Sequence, residues 1–197
     1  MTTIANLKAN KIIGVLNLQG AVTEHLNMLA SIELVRPIAV KKPEQLCQLD
    51  GLIIPGGEST AISRLIRQND LFEPIQAFAK QGKGIFGTCA GLVLCGTETS
   101  HNEVEQLGLI DIIVERNGFG RQINSFETVL DIAPIGQQIP AVFIRAPYIA
   151  TAGKQVKQLA FVDNHCVMAE QDNILLCSFH PELTTDNRIM RYFVEKC

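Results

Sequence analysis

A short apolar segment, Ile85-Phe86, runs directly into Gly87-Thr88-Cys89-Ala90-Gly91 and then into Leu92-Val93-Leu94, an apolar stretch of helical character. A strand that becomes a helix within so few residues needs a sharp, strained corner. Glycines two positions either side of Cys89 remove the side chains that would strike the neighbouring strand and helix. Such a corner is a nucleophile elbow with sulfur in place of a hydroxyl. It sets Cys89 at the first turn of a helix, where unpaired N–H groups and the positive dipole end favour the thiolate. The same five residues also suit a small buried cysteine ahead of a core helix, the usual fate of a free thiol.

The segments before the elbow say what it is mounted on. Residues 11–18 form a near-continuous apolar run ending in Gln19-Gly20, as in a parallel strand covered on both faces. Residues 21–32 carry Val22, Leu26, Leu29 and Ala30 at helical spacing. Residues 37–40 read as a weaker strand, and residues 50–55 as a strong one that ends in Gly56-Gly57-Glu58-Ser59-Thr60. Helical segments are expected around 60–67 and 72–81. This alternation predicts an α/β fold, an open, mostly parallel sheet with helices on both faces and its ligand site beyond the carboxyl ends of the strands. Gly57 and Cys89 would share that edge.

The second half changes character. Residues 110–114, 126–132, 141–144, 159–162, 166–169 and 174–178 are short apolar segments with few helices between them, which suggests antiparallel strands added to the first sheet or packed beside it. Residues 184–196 close the chain as a helix with Ile189, Met190, Phe193 and Val194 on one face.

With 197 residues, 47% of them hydrophobic, the chain suits one well-buried domain, 1–197, with residues 1–10 a polar extension. The net charge of -3 comes with no Lys/Arg cluster interleaved with aromatics, so no nucleic-acid partner is expected. Neither a signal peptide nor a membrane-length apolar run is evident, which suggests a cytoplasmic protein without a membrane partner. In that compartment the six cysteines (47, 89, 95, 166, 177 and 197) stay reduced, and no Cys-x-x-Cys pair suggests zinc. Neither metal nor cofactor is called for.

A cysteine nucleophile needs a base and a group to orient that base. Of His25, His101, His165 and His180, the last ends an apolar strand and is followed by Pro181-Glu182. Proline keeps the residue before it extended, and residues two apart in an extended segment project to the same side. Glu182 would then reach Nδ1 of His180 and leave Nε2 facing Cys89, although His-Pro-Glu also suits a polar exit from a strand. The elbow supplies one oxyanion donor, the Ala90 N–H, and the Gly56-Gly57 loop is the natural source of the second, at Gly57. Without Cys89, Pro-Gly-Gly would read as a tight turn.

These motifs, Gly87-Thr88-Cys89-Ala90-Gly91 with Pro55-Gly56-Gly57-Glu58-Ser59 and Phe179-His180-Pro181-Glu182, resemble those of the class I (triad) glutamine amidotransferases. Further blocks narrow the resemblance: Leu18-Gln19-Gly20-Ala21-Val22 with Glu24-His25, Glu115-Arg116-Asn117-Gly118-Phe119-Gly120-Arg121-Gln122, Ser125-Phe126-Glu127, Val142-Phe143-Ile144-Arg145-Ala146-Pro147 and Ser178 to Thr184. Together they look like the glutaminase subunits of pyridoxal 5'-phosphate synthase, the PdxT/SNO family, from Lys11 to Val194.

The resemblance implies a flavodoxin-like, three-layer sheet and hydrolysis of L-glutamine to glutamate and ammonia. The ammonia would pass to a separate PdxS/SNZ-type synthase subunit in a hetero-oligomeric complex. By carry-over, Cys89 attacks the amide, His180 protonates the departing ammonia and activates water, and Glu182 fixes the histidine tautomer. The implied glutamine site is Gly57, Glu58, Ser59, Arg116, Ile144 and Arg145. An arginine fork suits a carboxylate, although two arginines out of context would read as structural ion pairs. Two departures stand out: Asn17 replaces a small residue of the family, and Gly118 stands where a larger small residue is common. Gln19 and His25 are the candidates for sensing the partner. A stand-alone cysteine hydrolase and a non-catalytic binding module remain the alternatives; partner-independent turnover would mark the first and an unreactive Cys89 the second.

Overall fold

The computed structural model describes residues 10–100, 104–116, 118 and 125–197. The chain starts with strand β1 (Lys11–Leu16), helix α1 (Val22–Ala30) and strand β2 (Val35–Val40), then a 3-10 turn (Pro43–Gln48) and β3 (Gly51–Ile54). Helices α2 (Ser59–Gln68) and α3 (Phe72–Lys80) lead to β4 (Gly84–Thr88) and helix α4 (Ala90–Cys95). Strands β5 (Glu98–Thr99), β6 (Ile112–Glu115), β7 (Ser125–Ile132), β8 (Gly136–Ile144), β9 (Tyr148–Ala152), β10 (Lys157–Val162), β11 (His165–Gln171) and β12 (Ile174–Cys177) follow, then a 3-10 turn (Pro181–Leu183) and helix α5 (Arg188–Lys196).

The main sheet runs β2-β1-β3-β4-β12-β11-β9-β6-β5, with β10 paired to β11. Its first five strands are mutually parallel, and for β2, β1, β3 and β4 this is the arrangement expected. They are also apolar on both faces. Along β3, Leu52 and Ile54 pack in one core cluster and Ile53 in the other; Ile85 and Phe86 of β4 divide likewise. Helices α2, α3 and α4 cover the first cluster, and α1, α5 and the β7–β8 hairpin cover the second. The result is the three-layer, mostly parallel α/β sheet that the alternation predicts.

The second half holds both expected arrangements at once. Strands β9, β10 and β11 extend the sheet antiparallel, while β7 and β8 form a separate two-stranded sheet. One expectation needs correcting: β12 is antiparallel to β11 but parallel to β4, so it belongs to the central sheet. The segment Tyr148–Ala152 is a strand that the apolar pattern missed, because Tyr-Ile-Ala-Thr-Ala behind Pro147 has no clear alternation. The last helix begins at Arg188 rather than 184, since Asp186 accepts from the Arg188 backbone N–H and Thr184 closes the preceding turn. Among the described residues no helix is long and apolar enough to cross a membrane.

Candidate active site

The β12–β4 pairing is what assembles the site. Leu176 lies opposite Gly87 and Cys177 opposite Thr88, so the segment leaving β12 emerges beside the elbow leaving β4. The Cys89 backbone N–H donates to Cys177 O at 2.9 Å, and the His180 N–H donates to Val142 O of β8 at 2.8 Å. Cys89 sits at φ 48 and ψ -102, an uncommon conformation for a residue with a side chain. Such strain is what an elbow that projects its nucleophile requires. Both flanking glycines are sterically enforced. A Cβ on Gly91 would lie 2.0 Å from Ile54 O, and one on Gly87 would lie 2.7 Å from the Gly91 carbonyl carbon.

His180 Nδ1 is 2.7 Å from Glu182 Oε1, and both side chains are buried. The local route differs from the extended one predicted: Glu182 lies in the 3-10 turn Pro181–Leu183, which curls its carboxylate back onto the imidazole. Burial by itself would lower the His180 pKa. A hydrogen bond with Cys89 and the Glu182 carboxylate outweigh burial and push it up to about 10. The Glu182 carboxyl, which burial would raise, is held below its ordinary value by His25 and by the bonded His180. An imidazolium beside the sulfur and an ionised acid behind it form a charge arrangement suited to a cysteine nucleophile.

In front of Cys89 lies a cavity of about 240 Å³. Every residue expected to bind glutamine lines it: Gly57, Glu58, Ser59, Arg116, Ile144 and Arg145, together with Cys89 and Ala90. Val93 and Pro147 also reach it, and nothing in their apolar side chains marks them beforehand. Arg116 Nη2 lies 3.5 Å from Glu58 Oε1, while the Glu58 carboxylate accepts from the backbone N–H groups of Thr60 and Ala61 at the start of α2. Burial opposes ionisation of Glu58, but those N–H donors and Arg116 win and lower its pKa. Arg145 follows β8 at φ 44, a second side-chain-bearing residue in the left-handed region at this site. Gly118 lies near Arg116, and a Cβ there would fall 2.0 Å from the Tyr148 ring, which accounts for the absence of a larger residue.

The loop that carries Gly57 is held from two sides. Ala21 N–H donates to Gly56 O at 3.0 Å, and Gln19 Oε1 accepts from the Glu58 N–H at 2.9 Å. Gln19 is exposed, so the loop it steadies is reachable from the surface. Gly56 itself packs on His180 and Cys89: a Cβ there would meet His180 Cε1 at 2.4 Å and Cys89 Cβ at 3.3 Å. Its N–H donates to Thr88 Oγ1 at 3.1 Å.

Of the two residues expected to sense the partner, His25 fares differently from Gln19. His25 is 0% exposed, which rules out direct contact with a partner. His165 lies on β11, its ring 4.1 Å from that of Tyr148. His101, Asn117 and residues 1–9 and 119–122 fall outside the described residues. Sequence reasoning quoted Gly56 and Thr88 within its motifs but gave neither a contact of its own, since their packing against His180 and His25 comes from segments distant in the chain.

Comparison with known proteins supplies the family. Pyridoxal 5'-phosphate synthase subunit PdxT of Pasteurella multocida is 52% identical over 186 residues, 94% of this chain and 96% of that protein. The PdxT subunit of Oceanobacillus iheyensis is 54% identical over 183 residues, 92% and 91% of the two chains. A crystal structure of a glutamine amidotransferase superposes with a TM-score of 0.87 at 41% identity, covering 93% of this chain and 97% of that one. Residues 15–197 match the model of the SNO glutamine amidotransferase family. With the fold, the elbow and the relatives in agreement, this chain belongs to the SNO glutamine amidotransferase family.

Proposed function

We propose that this chain is the glutaminase subunit of a pyridoxal 5'-phosphate synthase, hydrolysing L-glutamine through Cys89, His180 and Glu182. The ammonia passes to a separate PdxS/SNZ-type synthase subunit, and the whole chain, 1–197, acts as one cytoplasmic amidotransferase domain. The observation that carries the reading is the cavity in which Cys89 faces Gly57, Glu58, Ser59, Arg116, Ile144 and Arg145. The pair His180–Glu182 at 2.7 Å stands behind that sulfur.

Arg116 and Arg145 offer cations to the substrate carboxylate, and Glu58, which keeps acceptor capacity beyond its two backbone donors, receives the ammonium. The Cys89 sulfur attacks the side-chain amide carbon, and the carbonyl electron pair moves to oxygen. The Gly57 and Ala90 N–H groups stabilise that oxyanion. Its collapse breaks the C–N bond, His180 gives a proton to the leaving ammonia, and a glutamyl thioester remains on Cys89. His180 then takes a proton from water, the resulting hydroxide adds to the thioester, and loss of the Cys89 thiolate releases glutamate. Glu182 holds the imidazole in the required tautomer throughout.

Activity is expected to rise when the synthase docks. The Gly56–Gly57 peptide is held by Ala21, in the loop that bears exposed Gln19, so contact at Gln19 reorients an oxyanion donor. The test is glutamate release from L-glutamine by wild type and Cys89→Ala, each with and without the synthase subunit. Release that increases with synthase and disappears in Cys89→Ala supports the proposal. Release retained by Cys89→Ala removes the triad, and full activity without synthase removes the activation.

A further inference from the structure

Behind the triad lies a buried polar chain that the hydrolytic steps do not use. His25 enters from the buried face of α1 and is 0% exposed. Its Nε2 lies 3.1 Å from Thr88 Oγ1 and 3.5 Å from Glu182 Oε2, the carboxylate oxygen other than the one bonded to His180. Thr88 Oγ1 also accepts the Gly56 N–H at 3.1 Å. The chain therefore runs from the acid of the triad, through an imidazole and a hydroxyl, to the loop that carries Gly57.

The tautomer of His25 follows from what surrounds it. Nδ1 is buried with no hydrogen-bond partner among the described residues. A proton there would be an orphaned donor, and the Nε2 lone pair would face a carboxylate oxygen. With the proton on Nε2, the donor faces the Thr88 and Glu182 oxygens, and Nδ1 buries a lone pair rather than a proton, which suits the adjacent carboxylate better. Burial lowers the pKa of this imidazole, as does His180, against the opposing pull of Glu182 and Glu24, the other charged groups that act on it.

We propose that His25 and Thr88 are positioning residues: His25, bonded to Thr88, turns its Nε2–H toward the second oxygen of Glu182, which has no hydrogen-bond partner among the described residues, and Thr88 links that electrostatic contact to the Gly56 peptide, so triad and oxyanion loop are set as one unit. The proposal rests on the triad reading above. Without the His25 donor, the dry Oε2 of Glu182 loses its polar neighbour, the carboxyl becomes easier to protonate and its hold on His180 weakens. Without the Thr88 hydroxyl, the Gly56 N–H is orphaned and the loop is no longer registered to the triad.

The test measures kcat, KM and the pH profile of kcat/KM for glutamine hydrolysis by the synthase-bound enzyme. The variants are His25→Leu, His25→Gln, His25→Asn, Thr88→Val and Thr88→Ser. Misplacement on this scale costs up to about 100-fold in kcat, so His25→Leu and Thr88→Val are expected to lose rate with little change in KM. In His25→Leu the acid limb of the profile moves to higher pH. A glutamine amide reaches the place of Nε2 and an asparagine amide does not, so His25→Gln restores the limb while His25→Asn leaves it displaced; Thr88→Ser recovers the rate. If His25→Leu does not fold, the Gln and Asn pair decides: identical profiles overturn the proposal. A wild-type profile in folded His25→Leu overturns it equally. Cys89→Ala, run alongside, separates the two ideas, because hydrolysis surviving there refutes the triad itself.

Discussion

Gly56→Ala tests whether the proposed triad is set by packing as closely as its geometry implies. The new Cβ would stand 2.4 Å from His180 Cε1, 3.1 Å from its Nδ1 and 3.3 Å from Cys89 Cβ. Non-bonded carbons settle at about 3.5 Å or more, so the imidazole must retreat by about 1 Å. That movement acts on the 2.7 Å bond to Glu182 and on the approach of His180 to the sulfur. The Gly56 φ lies outside the left-handed region, so alanine adds a steric demand without backbone strain. A misplacement of about 1 Å costs about 100-fold in rate, equivalent to about 2.7 kcal/mol of transition-state stabilisation. The assay is kcat/KM for glutamate release in the synthase-bound enzyme, with circular dichroism to confirm the fold. The nearest atoms belong to a side chain that can yield, so the fold should survive while the rate does not. A folded Gly56→Ala enzyme within about twofold of wild-type kcat/KM would refute the packing argument.

Gly91→Ala should act on stability instead, because the atom it meets, Ile54 O at 2.0 Å, belongs to the neighbouring strand and cannot swing away. Overpacking of this kind costs about 3 kcal/mol, or about 6–12 °C in thermal midpoint for a chain of this size; an unchanged midpoint would contradict it. Glu170, 6% exposed, accepts from Lys196 Nζ at 2.6 Å and Tyr192 OH at 2.7 Å, tying α5 to β11. Burial opposes its ionisation, but Lys196 and Tyr192 lower its pKa, so the carboxylate's contribution is full above the ordinary 4.5 and is lost as pH falls through the depressed value. Glu170→Gln should therefore cost about 2 kcal/mol at neutral pH in urea unfolding, and the gap from wild type should close on acidification. Arg116→Ala is expected to raise the KM for glutamine about tenfold or more while changing kcat less, since a charged hydrogen bond to the substrate carboxylate is lost in ground state and transition state alike. A fall in kcat alone would move Arg116 from binding to chemistry.

Short-range chemistry made much of this protein legible before any coordinates. Runs that are apolar on both faces mark covered parallel strands, and a cysteine between glycines at a strand-to-helix corner marks an elbow, because few other residues tolerate such a turn. His180 and Glu182 were legible as a pair because they are two residues apart. Even His25 carried a signal, since it lies three residues after Val22 and four before Leu29 on the buried stripe of α1.

Tertiary structure alone decided where these pieces meet. The parallel register of β12 against β4 brings His180 to Cys89, and no local pattern specifies that pairing between distant segments. Likewise the depth of His25, its contacts with Thr88 and Glu182, and the seat of Gly56 against the imidazole depend on how α1 and the loops at the carboxyl edge pack over the finished sheet. Local sequence sets the conformation of each corner and the chemistry it can offer, whereas the sheet register and close packing set the distances on which that chemistry depends.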